Sequence, residues 1–459
     1  MLPEKIDSLD GDSLRPLVLS LLGRIDELLA QIKAQNARIA ELEAKLAPPP
    51  RTPDNSSLPP SRGQKANVAE TASAKPPRKG RPGVARALCE KPDVVRDVRA
   101  SKCTCGAVLD AADAELARAY DHIDLPPIKP ITTRINLFRA TCPCCRARVT
   151  ATPPADMPEG TPFGPGIVSA IAYLHGCHMV GFKRLAELCD GLFGLTISQG
   201  AISNILARAA RPFAASAETI AAEVRASEVI ASDETSARVK GKTWWQWTFG
   251  CATAVTFVMA STRGKCVPTE FLAGAKPKMW LSDRLPAQCR HAEEHQFCLA
   301  HLIRDAQYAI DHGDAIFAPG FKALLKDACA VGRRRGDLAD ATIAAHRRRL
   351  ERELERLLAR KPADAEGRKL RDAVALDCRG KLLVFLKRRD AEPTNNESER
   401  ALRPSVIFRK VTNGFRSEWG ARAYAALCSI VETGRRNGRC ALTSIRDALS
   451  KSPPQVAGA

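Results

Sequence analysis

No stretch of this chain stays apolar for the ~18 residues a bilayer-spanning helix needs. The longest candidate, near residues 249–260, reads instead as a core strand. The opening MLPEKIDSLDGDS is polar and partly acidic, so no signal peptide is expected there. Acids are in deficit: 51 Asp and Glu stand against 70 Lys and Arg, a net charge of +19 with a pI near 9.5. That surplus attracts polyanions and, with no spanning segment, nucleic acid is favoured over an anionic membrane. A disulfide framework is also missing, because the sixteen cysteines are scattered along a long chain without an export signal. Reduced thiols with one metal site fit better, in a cytoplasmic protein that meets DNA there.

What is present divides into about three domains' worth of chain, on a prior of ~150 residues each. A hydrophobic content of 45% is ample for real cores. Residues 14–47 carry a heptad, with Val18, Ile25, Ile32, Ile39 and Leu46 at one seam position and Leu14, Leu21, Leu28, Gln35 and Leu42 at the other. Ile and Val at a with Leu at d favour a parallel two-stranded coil, hence a homodimer or higher oligomer; the competing reading is an amphipathic helix packed on its own protein. Residues 48–92 read as a disordered Pro-rich, basic linker. Its Lys79-Gly80-Arg81-Pro82 core suits an extended minor-groove hook, with Lys79 and Arg81 as DNA contacts; a merely solvated linker fits equally well.

Two cysteine knuckles, Cys103-Thr-Cys105-Gly106 and Cys142-Pro-Cys144-Cys145, delimit a β zinc ribbon over residues 93–152. Alternation at Ile131, Thr133, Ile135 and Leu137 predicts a strand, with another near 119–123. Four thiolates satisfy tetrahedral Zn²⁺, and the ligands taken are Cys103, Cys105, Cys142 and Cys145, with Cys144 in competition. Residues 160–226 form a helical subdomain. Its segments 182–189 and 198–210, joined by a glycine turn, have the form of a helix-turn-helix with Ser198, Gln199, Ser203, Asn204 and Arg208 on the outer surface. An ordinary helical subdomain is the even alternative.

The chemistry is expected around SEVIASDET. Val229, Ile230 and Ala231 predict a short buried strand ending on Asp233 and Glu234, only one of which can face a given site. Met279, Trp280 and Leu281 form a second such run ending on Asp283. Two strand ends carrying carboxylates suit hard divalent ions. His291, His295, Cys298 and His301 have spacings a zinc site could use, but 298–311 reads as one helix packed through Leu299, Leu302 and Ile303, and a structural helix is preferred. Long basic helices follow, with a Leu350, Leu354, Leu357 stripe flanked by arginines. In PTNNESERALRP, Thr394 and Glu397 match a capping box. Glu399 faces elsewhere and is taken as the third metal ligand, with Arg400, Arg403, Arg409 and Lys410 positioning phosphates. Ser417 is expected to cap a last helix packed through Trp419, Ala423, Leu427, Ile430 and Val431.

NSSLPPS, the knuckles, SDET, LSDRLPAQ, CLAHLIRD, PTNNESERALRP and the FRK and NGF segments follow one another as in transposases of the insertion sequence 66 family, which this chain resembles from the coiled coil to about residue 450. The resemblance implies an α/β RNase H-like core over 227–435, interrupted by a helical insertion near 300–390 and followed by a tail at 436–459. It also implies an Asp-Asp-Glu site at Asp233, Asp283 and Glu399. The cofactors expected are two catalytic Mg²⁺, or Mn²⁺ in their place, and one structural Zn²⁺. The partners expected are the element's terminal inverted repeats, target DNA and accessory proteins of the same element, at the bacterial nucleoid. The competing functions are a zinc-containing, sequence-specific DNA-binding regulator without catalysis, and a nuclease that cuts without joining.

Overall fold

The computed structural model describes residues 11–46, 51–56, 86–111, 114–160 and 162–450. Lys79 and Arg81 lie outside the described residues, together with most of the expected linker. In chain order the N-terminal elements are helix α1 (Gly11–Leu46), strands β1 (Arg139–Thr141) and β2 (Arg148–Thr150), and helices α2 (Pro165–Gly176), α3 (Phe182–Phe193) and α4 (Gln199–Arg225). Then come β3 (Val229–Val239), β4 (Lys242–Gly250), β5 (Val255–Ala260), a short α5 (Cys266–Leu272), β6 (Met279–Ser282) and β7 (Glu294–Phe297). The remainder is helical: α6 (Leu299–Asp311), α7 (Ala318–Arg334), α8 (Asp340–Leu358), α9 (Ala365–Ala373), α10 (Asn396–Thr412), α11 (Glu418–Arg436) and α12 (Ala441–Ser450). Among the described residues no helix is long and apolar enough to cross a membrane.

Five strands make one mixed sheet in the order β5-β4-β3-β6-β7, compatible with an α/β core. β3, β6 and β7 run parallel, whereas β4 and β5 form an antiparallel hairpin. The described residues group into two compact units, each assembled from segments distant in sequence. One draws on Met1–Gln64, Ser227–Asp233 and Gly264–Arg400, the other on Lys65–Ala226, Glu234–Arg263 and Ala401–Ala459.

In the first unit, α6 to α9 close a core around Phe317, Phe321, Leu325, Leu350, Leu354 and Leu357, joined by Met279 and Phe297 from the strands. The leucine stripe on α8 is therefore buried as its spacing predicts. The arginines beside it have partners: Arg349 reaches Asp327 at 2.5 Å and Glu353 at 3.7 Å, and Arg347 reaches Glu351 at 3.7 Å. The linker expectation needs correction at residues 51–56. Asn55 is buried and donates from Nδ2 to Asp311 Oδ2 at 2.8 Å, while Arg51 lies 5.5 Å over the Tyr308 ring. A buried amide with a charged acceptor docks this piece on α6, so it is not a solvated tether. α1 is a continuous helix whose seam residues Val18, Leu21, Ile25, Leu28, Ile32 and Ile39 are each 49–52% exposed. An amphipathic helix folded against its own protein would bury such a stripe, which here stays about half exposed.

In the second unit, α3 ends on Gly194 in the left-handed region (φ 59°), and the Ser198 hydroxyl accepts the Ala201 N–H at 3.1 Å to start α4. α4 continues to Arg225, well past residue 210, because Phe213, Ala221 and Val224 extend its buried face. Gln199, Asn204 and Arg208 are exposed on it and Ser203 is half-buried. Ser417 caps α11 through the Gly420 N–H at 3.2 Å. Leu427, Ile430 and Val431 are buried as expected, but Trp419 is exposed. Residues 436–459 are not simply a tail: Ala441, Ile445 and Ala448 bury one face of α12. The strands expected near 119–123 and 131–137 do not form. Alternation there lacks a buried face, Ile131 being almost fully exposed, and pairing occurs instead between β1 and β2 around the second knuckle.

Candidate active site

β3 begins as its apolar residues dictate, with Ile230 wholly buried, but it does not stop at the acids. It continues to Val239 because Ala237 and Val239 are buried in their turn. Asp233 is thus a mid-strand residue, half-buried, while Glu234 on the opposite face is buried and bound by Arg263 at 2.6 and 2.9 Å. Glu234 is a structural ion pair, which leaves Asp233 as the acid on the other face.

The parallel register of β3 and β6 aligns Val229 with Met279, Ile230 with Trp280 and Ala231 with Leu281, an offset of fifty throughout. The paired stretch ends there, two residues before Asp233, and Asp283 lies just beyond β6. Asp283 follows the last residue of β6, and its Oδ1 accepts the Leu285 N–H at 3.0 Å. Ser282 just before it donates to the Asp283 carbonyl at 2.8 Å and bonds His295 Nε2 at 2.9 Å. Burial, reinforced by Lys381 and His291, pushes the His295 imidazole down to about 3, so it stays neutral. His291 bonds the Ala287 carbonyl at 2.8 Å. Both histidines therefore have structural partners.

The start of α10 is tied to the same strand end. Asn395 is buried, and its Nδ2 donates to the Ser232 carbonyl at 2.8 Å, one residue before Asp233. Its backbone N–H donates to Cys298 Sγ at 3.1 Å, and Leu299 N–H donates to the Pro393 carbonyl at 3.0 Å. The N-termini of α6 and α10 consequently meet beside β3 at Ser232, an electropositive arrangement that favours carboxylates and phosphates. α10 begins at Asn396, so Asn395, not Thr394, occupies the cap position, and Glu397 is only its second helical residue. Asn395 escaped sequence reasoning, although its doubled asparagine before a helix was the available signal.

Glu399 lies in the first turn of α10, with Oε1 3.8 Å from His301 Nε2 and Oε2 3.9 Å from Arg304. Its Oε1 is buried without a hydrogen-bond partner, as are Ser232 Oγ, Asn395 Oδ1 and His301 Nδ1. Such a concentration of unsatisfied acceptors is costly unless a cation or water fills it. Among the described residues, Cys298, His301 and Glu399 are the group whose donor atoms all lie within 4.8 Å of one another. Asp233, Asp283 and Glu399 do not meet that criterion as a trio, nor do the knuckle thiols. Each knuckle closes locally: Gly106 N–H reaches the Cys103 carbonyl at 2.9 Å, and Arg146 N–H reaches the Cys142 carbonyl at 3.0 Å. Backbone N–H groups of Cys105 and of Cys145 hold the Cys103 and Cys142 thiols below the usual range.

Of the basic residues expected on α10, Arg400, Arg403 and Lys410 are exposed. Arg409 instead donates to the Ser236 carbonyl and, at 2.5 Å, to its hydroxyl, so it braces β3. Residues 160–423 match the family described as Transposase IS66 family. The chain belongs to this family. Membership makes this IS66-family chain a DNA-processing enzyme with a transposase role, with DNA as partner and divalent metal use implied. No curated relative matches the chain.

Proposed function

We propose that the chain cuts DNA at the ends of its element and joins the freed 3′-hydroxyls to target DNA, with Asp233, Asp283 and Glu399 as the carboxylates of the reaction centre. Support comes above all from the parallel pairing of β3 with β6, since Asp233 follows the paired stretch of one strand by two residues and Asp283 directly follows the other strand. The Asn395 bond to Ser232 adds the third acid's helix at the same strand end.

The donor set fits a hard divalent ion, because it consists of carboxylate oxygens and one of them, Glu399 Oε1, is buried with nothing to satisfy it. Mg²⁺, or Mn²⁺, bound there supplies Lewis acidity to the attacking and departing oxygens. Two ions about 3.5–4 Å apart do not require three carboxylates to converge on one point. The paired helix N-termini attract the scissile phosphate, and Arg304 lies 3.9 Å from the second Glu399 oxygen. In the first step water adds to phosphorus and the P–O3′ bond breaks, leaving a 3′-hydroxyl. In the second, that hydroxyl attacks a target phosphorus and expels a target 3′-oxygen, its own proton passing to solvent.

The remaining expectations belong to the same proposal: an RNase H-like core, a structural Zn²⁺ on Cys103, Cys105, Cys142 and Cys145, self-association through α1, and basic contacts from Lys79, Arg81, Arg208, Arg400, Arg403 and Lys410. Zinc would draw the two knuckles together, and the N–H groups aimed at Cys103 and Cys142 favour the thiolates it needs. The deciding experiment incubates purified protein and a labelled element end with Mg²⁺ and resolves nicked and joined products. Wild type is expected to give both and Asp233→Asn neither. Cleavage by Asp233→Asn at the wild-type rate refutes the assignment, and nicking without joining by wild type makes the chain a nuclease.

A further inference from the structure

Cys298, His301 and Glu399 belong to elements already described, yet the carboxylate proposal uses only the last of them. We propose that these three side chains form a separate binding site for one thiophilic divalent cation of the zinc class. Their donor atoms all lie within 4.8 Å of one another, and the His301 Nε2 to Glu399 Oε1 distance is 3.8 Å. Two ligands each about 2.1 Å from a tetrahedral ion stand about 3.4 Å apart, so a small closure completes the pair.

Two further features point to a missing central atom. Glu399 Oε1, the oxygen nearest His301 Nε2, is buried and without a hydrogen-bond partner, although it sits beside a thiol. The thiol itself is the N-cap of α6, 1% exposed, and its sulfur takes the Asn395 N–H at 3.1 Å together with backbone N–H groups of His301 and Ala300. Without a metal, burial lifts that thiol to about 11. Three N–H donors around a helix N-terminus are, however, the surroundings that stabilise a metal-bound thiolate. On binding, an S–metal bond replaces S–H and the proton leaves to solvent, with no change of oxidation state.

A thiolate with an imidazole selects zinc or cobalt over Mg²⁺, which demands oxygen. Three protein ligands leave a fourth position open, as in zinc sites that bind water or substrate. Where Glu399 also serves the carboxylate centre, a thiophilic ion takes it away; that consequence rests on the proposed function, whereas the site itself does not.

The test titrates Co²⁺ into full-length, reduced, metal-stripped protein and follows thiolate-to-cobalt absorption and bound metal per chain, with no turnover involved. Wild type is expected to bind one equivalent more than Cys298→Ser or His301→Ala, with a one-thiolate spectrum for the difference, and excess Mg²⁺ should leave it in place. Knuckle cysteines contribute equally to all three proteins and cancel. Cys298 is buried and its replacement can fail to fold, so His301→Ala, cut back from a partly exposed position, decides in that case. Equal stoichiometry and spectra for wild type and His301→Ala overturn the site, whatever the protein does to DNA.

Discussion

Two residues beside the acids make testable demands. His295 is held neutral down to about pH 3, whereas an unfolded histidine takes its proton near 6.5. Between those values the unfolded chain binds more protons, so stability falls as pH drops, by up to about 1.4 kcal/mol per pH unit, and is unaffected above 6.5. Urea unfolding from pH 7 to 4 should show this slope, and His295→Gln should flatten it. Asn395 supplies the bond between α10 and β3. Asn395→Ala leaves the Ser232 carbonyl unpaired at a cost of about 1–3 kcal/mol. It should slow end cleavage more than it weakens DNA binding, which paired cleavage and binding assays would reveal. Asp233 and Asp283 were legible as acids closing apolar runs. Cys298 and His301 were visible too, but reading them as helix packing missed the third donor, which comes about a hundred residues later.

Side-chain acceptors hold some of the helix starts, those of α4, α9 and α11 among them. Asp314 is buried before α7, where its carboxylate takes the N–H groups of Ile316 at 2.9 Å, Phe317 at 3.3 Å and Ala318 at 2.7 Å. Only glycine fits opposite it, since a Cβ on Gly367 would lie 2.5 Å from Asp314 Cγ. Asp314→Ala should therefore cost about 1–2 kcal/mol in thermal unfolding, with Asp314→Asn intermediate. A second close approach occurs at Gly414, where φ is +98° and a Cβ would meet the Arg238 carbonyl at 2.5 Å. Periodicity located the α8 stripe, and a cap residue located the start of α11. It failed at β3, whose length depends on partners rather than on its own apolar run.

For the whole chain, charge and the N-terminal helix define what must be outside. Internal ion pairs, such as those of Arg347 and Arg349 on α8, leave the +19 excess in place. The α1 seam remains about half exposed along its described length. If it pairs with a second copy, Ile25→Asp combined with Leu28→Asp should convert an oligomer to monomers in sedimentation, because charges at a and d oppose burial. The melting of the two compact units should stay unchanged. A monomeric wild type would exclude the coil.

Sequence alone determined the class of partner, the heptad and the family, because these depend on composition and on motifs of short range. Tertiary structure decided that β3 and β6 lie side by side, through a parallel register joining residues fifty apart. It also decided which residues hold α10 against β3, and that Cys298 and His301 lie close to Glu399. Those contacts join segments far apart in the chain, and no local periodicity encodes the distance between them.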